Sequence, residues 1–109
     1  MNVQAIVAES KTAAYNAADK FFNTTLGGQD QMPCGFAWVT VEVKGSTKIG
    51  KELLKNGFRK PFGRKGLQMW NPSKFGCQNV DTVEAGAVAA AKVLEEKLGV
   101  VAYAGSRWD

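Results

Sequence analysis

An α+β fold follows from the sequence: an N-terminal helix, then a ferredoxin-like βαββαβ unit with a mainly antiparallel sheet. Three observations lead there. Apolar residues recur at helical spacing over Val3–Thr24 and again over Thr82–Leu98. Phe36 to Val43 alternates strictly, with Ala37, Val39, Val41 and Val43 on one side and Phe36, Trp38, Thr40 and Glu42 on the other. The 109 residues, 45% hydrophobic and 22% charged, suffice for one core and leave no room for a second domain.

The first helix carries Val3, Ile6, Val7, Ala14, Ala18, Phe21 and Phe22 on its apolar stripe, and Gly27-Gly28 ends it. The valine side of the first strand is aliphatic and suits packing on helices. The side with Phe36 and Trp38 mixes rings with polar groups, as a face open to solvent or ligand does. A short helix follows Gly45-Ser46, with Ser46 as its expected N-cap and Ile49, Leu53 and Leu54 as its apolar stripe. Lys48, Lys51 and Lys55 give it one basic, solvated face, and Gly57 with Phe58 closes it.

Phe58 to Trp70 reads as a hairpin with Gly63–Gly66 at the tip, and Arg59, Lys60, Arg64 and Lys65 concentrate charge there. Pro72 makes Asn71-Pro72-Ser73 a turn. The last helix is expected at Thr82–Leu98, with Asp81 as N-cap, Glu84 completing a capping box, and Ala87, Ala91, Leu94 and Leu98 buried. Gly99 stops it, Val100–Ala104 forms a final strand, and Gly105–Asp109 a polar tail. The chain is thus one α+β domain over residues 1–109, with the N-terminal helix in 1–25 and a sheet with two covering helices in 35–104. The far side of the sheet stays free for the first helix, a second subunit or a ligand.

Composition narrows the chemistry. The chain has no histidine, which removes Ser-His-Asp, Cys-His and His-metal sites. Cys34 and Cys77 form no Cys-x-x-Cys pair and read as two small buried thiols. There is no Walker-type phosphate loop, no basic-apolar signal segment and no apolar run of membrane-spanning length. The expectation is a cytoplasmic, non-enzymatic protein with no catalytic residue, no metal and no cofactor. Fourteen Lys+Arg against ten Asp+Glu give a net charge of +4, which favours an anionic partner.

Four pieces of the sequence carry a resemblance. They are Cys34-Gly35-Phe36-Ala37-Trp38-Val39, Trp70-Asn71-Pro72-Ser73, Gln78 to Ala87 (QNVDTVEAGA), and Ala102-Tyr103-Ala104-Gly105-Ser106-Arg107 with a terminal Asp109. Spread over about two thirds of the chain, they resemble a group of small, mostly uncharacterised proteins encoded by tailed phages. The resemblance implies a phage accessory protein at work in the host cytoplasm, of the host-takeover or anti-defence kind. Such factors bind a host protein or sequester a small nucleotide signal.

Binding residues are better supplied than catalytic ones. An anionic, aromatic ligand needs cations for phosphate and flat side chains for a base. Arg59, Lys60, Arg64, Lys65 and Arg107 offer the first, and Trp38, Trp70 and Trp108 the second. Asn71, Gln78, Asn79 and Ser106 offer hydrogen-bonding groups for base edges or sugar hydroxyls. The leading expectation is a small phosphate-bearing, nucleotide-like ligand, held at the interface of a homo-oligomer and sequestered from host defence signalling. The alternatives are single-stranded nucleic acid on the open sheet face, or a host enzyme inhibited by the same face. A deep cleft over Trp38 and Trp70 would favour the small ligand, a bare sheet nucleic acid, and a helix packed there neither.

Overall fold

A computed structural model describes residues 1–109. Its elements run α1 (Val3–Thr24), β1 (Gly35–Val41), α2 (Lys48–Lys55), β2 (Leu67–Trp70), α3 (Val80–Leu98) and β3 (Ala102–Trp108). The sheet is antiparallel throughout, in the order β2-β1-β3. The α+β class and the leading helix match the expectation, but the full βαββαβ unit is not formed. The expected extra strand after Phe58 is reduced to one bridge, in which Arg59 and Gln68 exchange both backbone hydrogen bonds at 2.8 Å. Pro61, two residues on, has no N–H to continue a ladder.

Asn2 caps α1, its side chain accepting from the Ala5 N–H at 3.0 Å. Val3, Val7, Ser10, Ala14 and Ala18 form the buried line, each three or four residues from the next. Ser10 is the polar member, and its hydroxyl donates to the Val7 carbonyl at 2.7 Å, so no buried group is left unpaired. This helix packs along α3 and touches α2, and its backbone stays clear of the strands. The approach is close: a Cβ at Gly86 would lie 3.0 Å from the Ala14 carbonyl oxygen and 2.8 Å from the Ser73 Cβ.

The valine side of β1 is fully buried at Ala37, Val39 and Val41. It meets Leu67 and Met69 of β2, Leu53, Phe58, and the Ala90–Leu94–Leu98 stripe of α3. Each buried Val, Leu or Phe contributes about 1.5–3 kcal/mol, and this apolar cluster lies on the helix side of the sheet.

Several local expectations are corrected. Thr47, not Ser46, caps α2, because its Oγ1 reaches the Gly50 N–H at 3.0 Å. Leu54 stays outside the buried core, about one-third exposed beside Gly45. Asn79, not Asp81, caps α3, which begins two residues early at Val80. Asn79 Oδ1 accepts from both the N–H and the hydroxyl of Thr82 at 2.9 Å, while its Nδ2 donates to the Gln31 carbonyl at 2.8 Å. Asp30 receives the Gln78 and Asn79 N–H groups at 2.9 and 3.1 Å, which pins the preceding loop to the start of the helix. Asp81 keeps a place in the first turn, where its charge opposes the helix dipole favourably. Cys34 and Cys77 are half-buried, not sealed in the core. The stretch read as a polar tail is strand: β3 pairs with β1 from Ala102 to Trp108, so the sheet runs past residue 104. No helix is long and apolar enough to cross a membrane.

Candidate functional site

Register decides which side chains share the uncovered side of the sheet. In β1 these are Phe36, Trp38 and Thr40, opposite in parity to the buried valines. Trp38 pairs with Trp70 and Thr40 with Gln68 on one side. On the other, Phe36 pairs with Arg107, Trp38 with Gly105 and Thr40 with Tyr103. Three adjacent strands therefore place four rings and an arginine on the surface opposite the buried valines, where Thr40 and Gln68 are themselves buried beside Arg64 and Lys65 of the 60–66 loop.

The rings touch. Trp38 and Trp70 lie 4.9 Å apart between centroids with a 34° tilt, and Phe36 meets Trp70 edge-on at 5.9 Å. The Arg107 guanidinium sits 5.5 Å from the Phe36 centroid and 5.7 Å from that of Trp70. Arg64, from the 60–66 loop, reaches over Trp38 at 6.0 Å. The Trp38 indole can lie across β3 because its partner there is glycine: a Cβ at Gly105 would stand 2.6 Å from the ring.

Arg64 divides the surface into two open hollows. One, of about 470 Å³, is bounded by Trp38, Thr40, Gln68, Tyr103, Arg64 and Lys65. The other, of about 270 Å³, lies between Trp38, Trp70, Arg107 and the loop residues Pro61 and Phe62. Phe62 is fully exposed at the loop tip. A cleft of about 680 Å³ with Lys44, Lys60, Arg64 and Lys65 and one carboxylate, Glu42, on its walls adjoins the first hollow. The chain's single ion pair is Lys55–Glu52, 3.5 Å apart on the surface of α2. None of the cations at the rings is thus neutralised by a carboxylate, which leaves them free for phosphate oxygens.

The structure brings Trp38, Arg64, Lys65, Trp70 and Arg107 together. Asn71 and Gln78 lie at the end of the same surface, in a side pocket of about 190 Å³ with Phe36, Trp70 and Cys77. Asn71 adopts a left-handed φ of 43°, and its Oδ1 accepts from the Ser73 hydroxyl at 2.9 Å, so the turn uses one of its polar atoms. Arg59, paired with Gln68, has the parity of the ring side at its outer edge but stacks on none of the rings, and its Nη1 donates to the Phe58 carbonyl at 2.9 Å. Ser106 is on the wrong side. Its parity in β3 turns it toward α3, where its hydroxyl donates to Glu84. That bond occupies the carboxylate expected in the capping box. Trp108 shares this parity and does not join the other two indoles.

Phe36, Gln68 and Tyr103 were missing from the sequence-based candidates. Phe36 could have been found, because it shares the parity of Trp38. Tyr103 and Gln68 could not be placed without the pairing register. The four resemblance pieces converge here: the first supplies Phe36 and Trp38, the second Trp70 and Asn71, the third Gln78, and the fourth Tyr103, Gly105 and Arg107. No protein-family model, curated protein or solved structure matches the chain.

Proposed function

We propose that this chain is a non-enzymatic protein that binds single-stranded nucleic acid on the open face of its sheet. One observation carries the reading: Phe36, Trp38, Trp70 and Tyr103 share the sheet surface opposite the apolar core with Arg64, Lys65 and Arg107, none of them in an ion pair. Every base has a flat face that stacks on an aromatic ring, and the cations meet the backbone phosphates. The two hollows on either side of Arg64 suit successive units of a strand better than one enclosed ligand.

The test is quenching of the indole fluorescence by single-stranded oligonucleotides of about 4 to 16 nucleotides, repeated at several salt concentrations. With three phosphate contacts from Arg64, Lys65 and Arg107, the slope of log K against log salt is about −2. No quenching by any oligonucleotide, or an affinity indifferent to salt, overturns the reading.

A second reading, a small phosphate-bearing nucleotide, draws support from the 470 Å³ hollow, which is of single-ligand size. It is favoured if mononucleotides or cyclic nucleotides bind as tightly as the oligomers. Under either reading we propose a phage accessory factor acting in the host cytoplasm, a proposal that rests on the sequence resemblance alone.

A further inference from the structure

The two edges of the sheet are treated differently. Beyond β2, the Arg59 bridge takes both backbone groups of Gln68, and Lys60 and Pro61 follow, a charge and an imino acid that block further pairing. Beyond β3 no strand pairs: β1 is the one strand bonded to it, and no backbone group elsewhere in the chain bonds its outer edge.

The backbone groups of that free edge can be assigned. Glu42 N–H donates to the Val101 carbonyl at 2.9 Å, and Asp109 N–H to the Cys34 carbonyl at 3.0 Å. These two bonds bracket β3 and set its parity. Val101, Tyr103, Gly105, Arg107 and Asp109 turn their backbone groups to β1. Ala102, Ala104, Ser106 and Trp108 turn theirs outward, a row of donors and acceptors with no partner in the chain.

This edge carries none of the usual protections. Ala102–Trp108 has no proline, lysine or carboxylate, and its one charge, Arg107, is drawn over Phe36 and Trp70. Its flanks are apolar and open: Val101 is 55% exposed, Tyr103 43% and Trp108 75%.

We infer that β3 is a homodimer interface, paired antiparallel with β3 of a second copy of this chain. A strand meeting itself antiparallel obeys a two-fold axis, so the outward groups of both copies are satisfied by one set of contacts. The axis stands normal to the sheet, and the two aromatic faces therefore lie on the same side of a six-stranded sheet ordered β2-β1-β3-β3-β1-β2. The 470 Å³ hollow, walled by Arg64 and Lys65 on the loop side, reaches Tyr103–Gly105 at this edge. The second copy extends it there with its own Tyr103. The pairing does not depend on what the face binds.

Sedimentation equilibrium of the full chain, from micromolar to near-millimolar concentration, gives twice the chain mass. In the dimer, the Ala102, Ala104 and Ser106 amides exchange with deuterium at least ~100-fold more slowly than free-edge amides. Ala104→Pro removes one outward N–H and no bond to β1, so it yields a monomer with unchanged far-ultraviolet circular dichroism. Should that variant fail to fold, exchange in the unmodified chain decides. The inference is overturned by a monomer at every concentration, by a dimer whose outward amides exchange freely, or by a monomer whose edge instead captures an added extended peptide.

Discussion

The Trp38 indole lies against Gly105 of the neighbouring strand, where a Cβ would stand 2.6 Å from its ring atoms. This pair sets the position of the central ring of the open face. Gly105→Ala therefore drives the indole off β3 at a cost of about 1–3 kcal/mol, typical of overpacking. Thermal unfolding reads the loss, and the near-ultraviolet circular dichroism changes with it. An unaltered spectrum and melting temperature would mean that the ring does not rest there.

Trp70→Ala separates binding from folding. Trp70 is 49% exposed and touches both Trp38 and Phe36. Its removal weakens oligonucleotide binding by about 1–3 kcal/mol. Phe58→Ala, at a fully buried site in the core, lowers stability by about 3–5 kcal/mol. Equal stability losses in denaturant titrations of the two variants would contradict this division.

Arg107 acts through shape and charge together. Arg107→Ala reduces the magnitude of the salt slope by about 1, the loss of one phosphate contact. Arg107→Lys keeps the slope but loses affinity, because an ammonium cannot stack flat over Phe36 and Trp70. Identical behaviour of the two variants would remove stacking from the account.

Ser106→Ala leaves oligonucleotide affinity unchanged, since the hydroxyl faces α3 and holds Glu84. Stability falls by about 1 kcal/mol for the lost hydrogen bond. Weaker binding at unchanged stability would return Ser106 to the site.

Asn79→Ala costs about 2 kcal/mol or more, combining a lost helix cap with polar partners left unsatisfied at Thr82 and Gln31. Urea unfolding measures the loss. A change below about 0.5 kcal/mol, the low end for a cap, would show that the cap carries little.

The parts of the molecule that local pattern determines were legible in the sequence. The bounds of α1, the buried valines of β1 and the Ala87–Ala91–Leu94–Leu98 stripe all follow from spacing within one element. The errors fall where a distant partner decides. Asn79 outcompetes Asp81 as a cap because Asp30 and Gln31, almost fifty residues earlier, bind its backbone and side chain. Gly105–Trp108 becomes strand because the start of β1 is there to pair with it. That same pairing turns Arg107 toward the rings and Ser106 away from them, and composition cannot distinguish the two outcomes. Trp38 and Trp70 each belong to a strand recognisable from the sequence, which allows a shared face and no more. Their direct opposition needed the β1–β2 register.

The apolar interior lies entirely on the helix side of the sheet. Most of what keeps the chain folded is therefore spent out of reach of anything it grips. Rings and cations on the outer surface can be exchanged one at a time while the scaffold survives. A lineage under pressure to change its target could do so by small steps, each still yielding a folded protein.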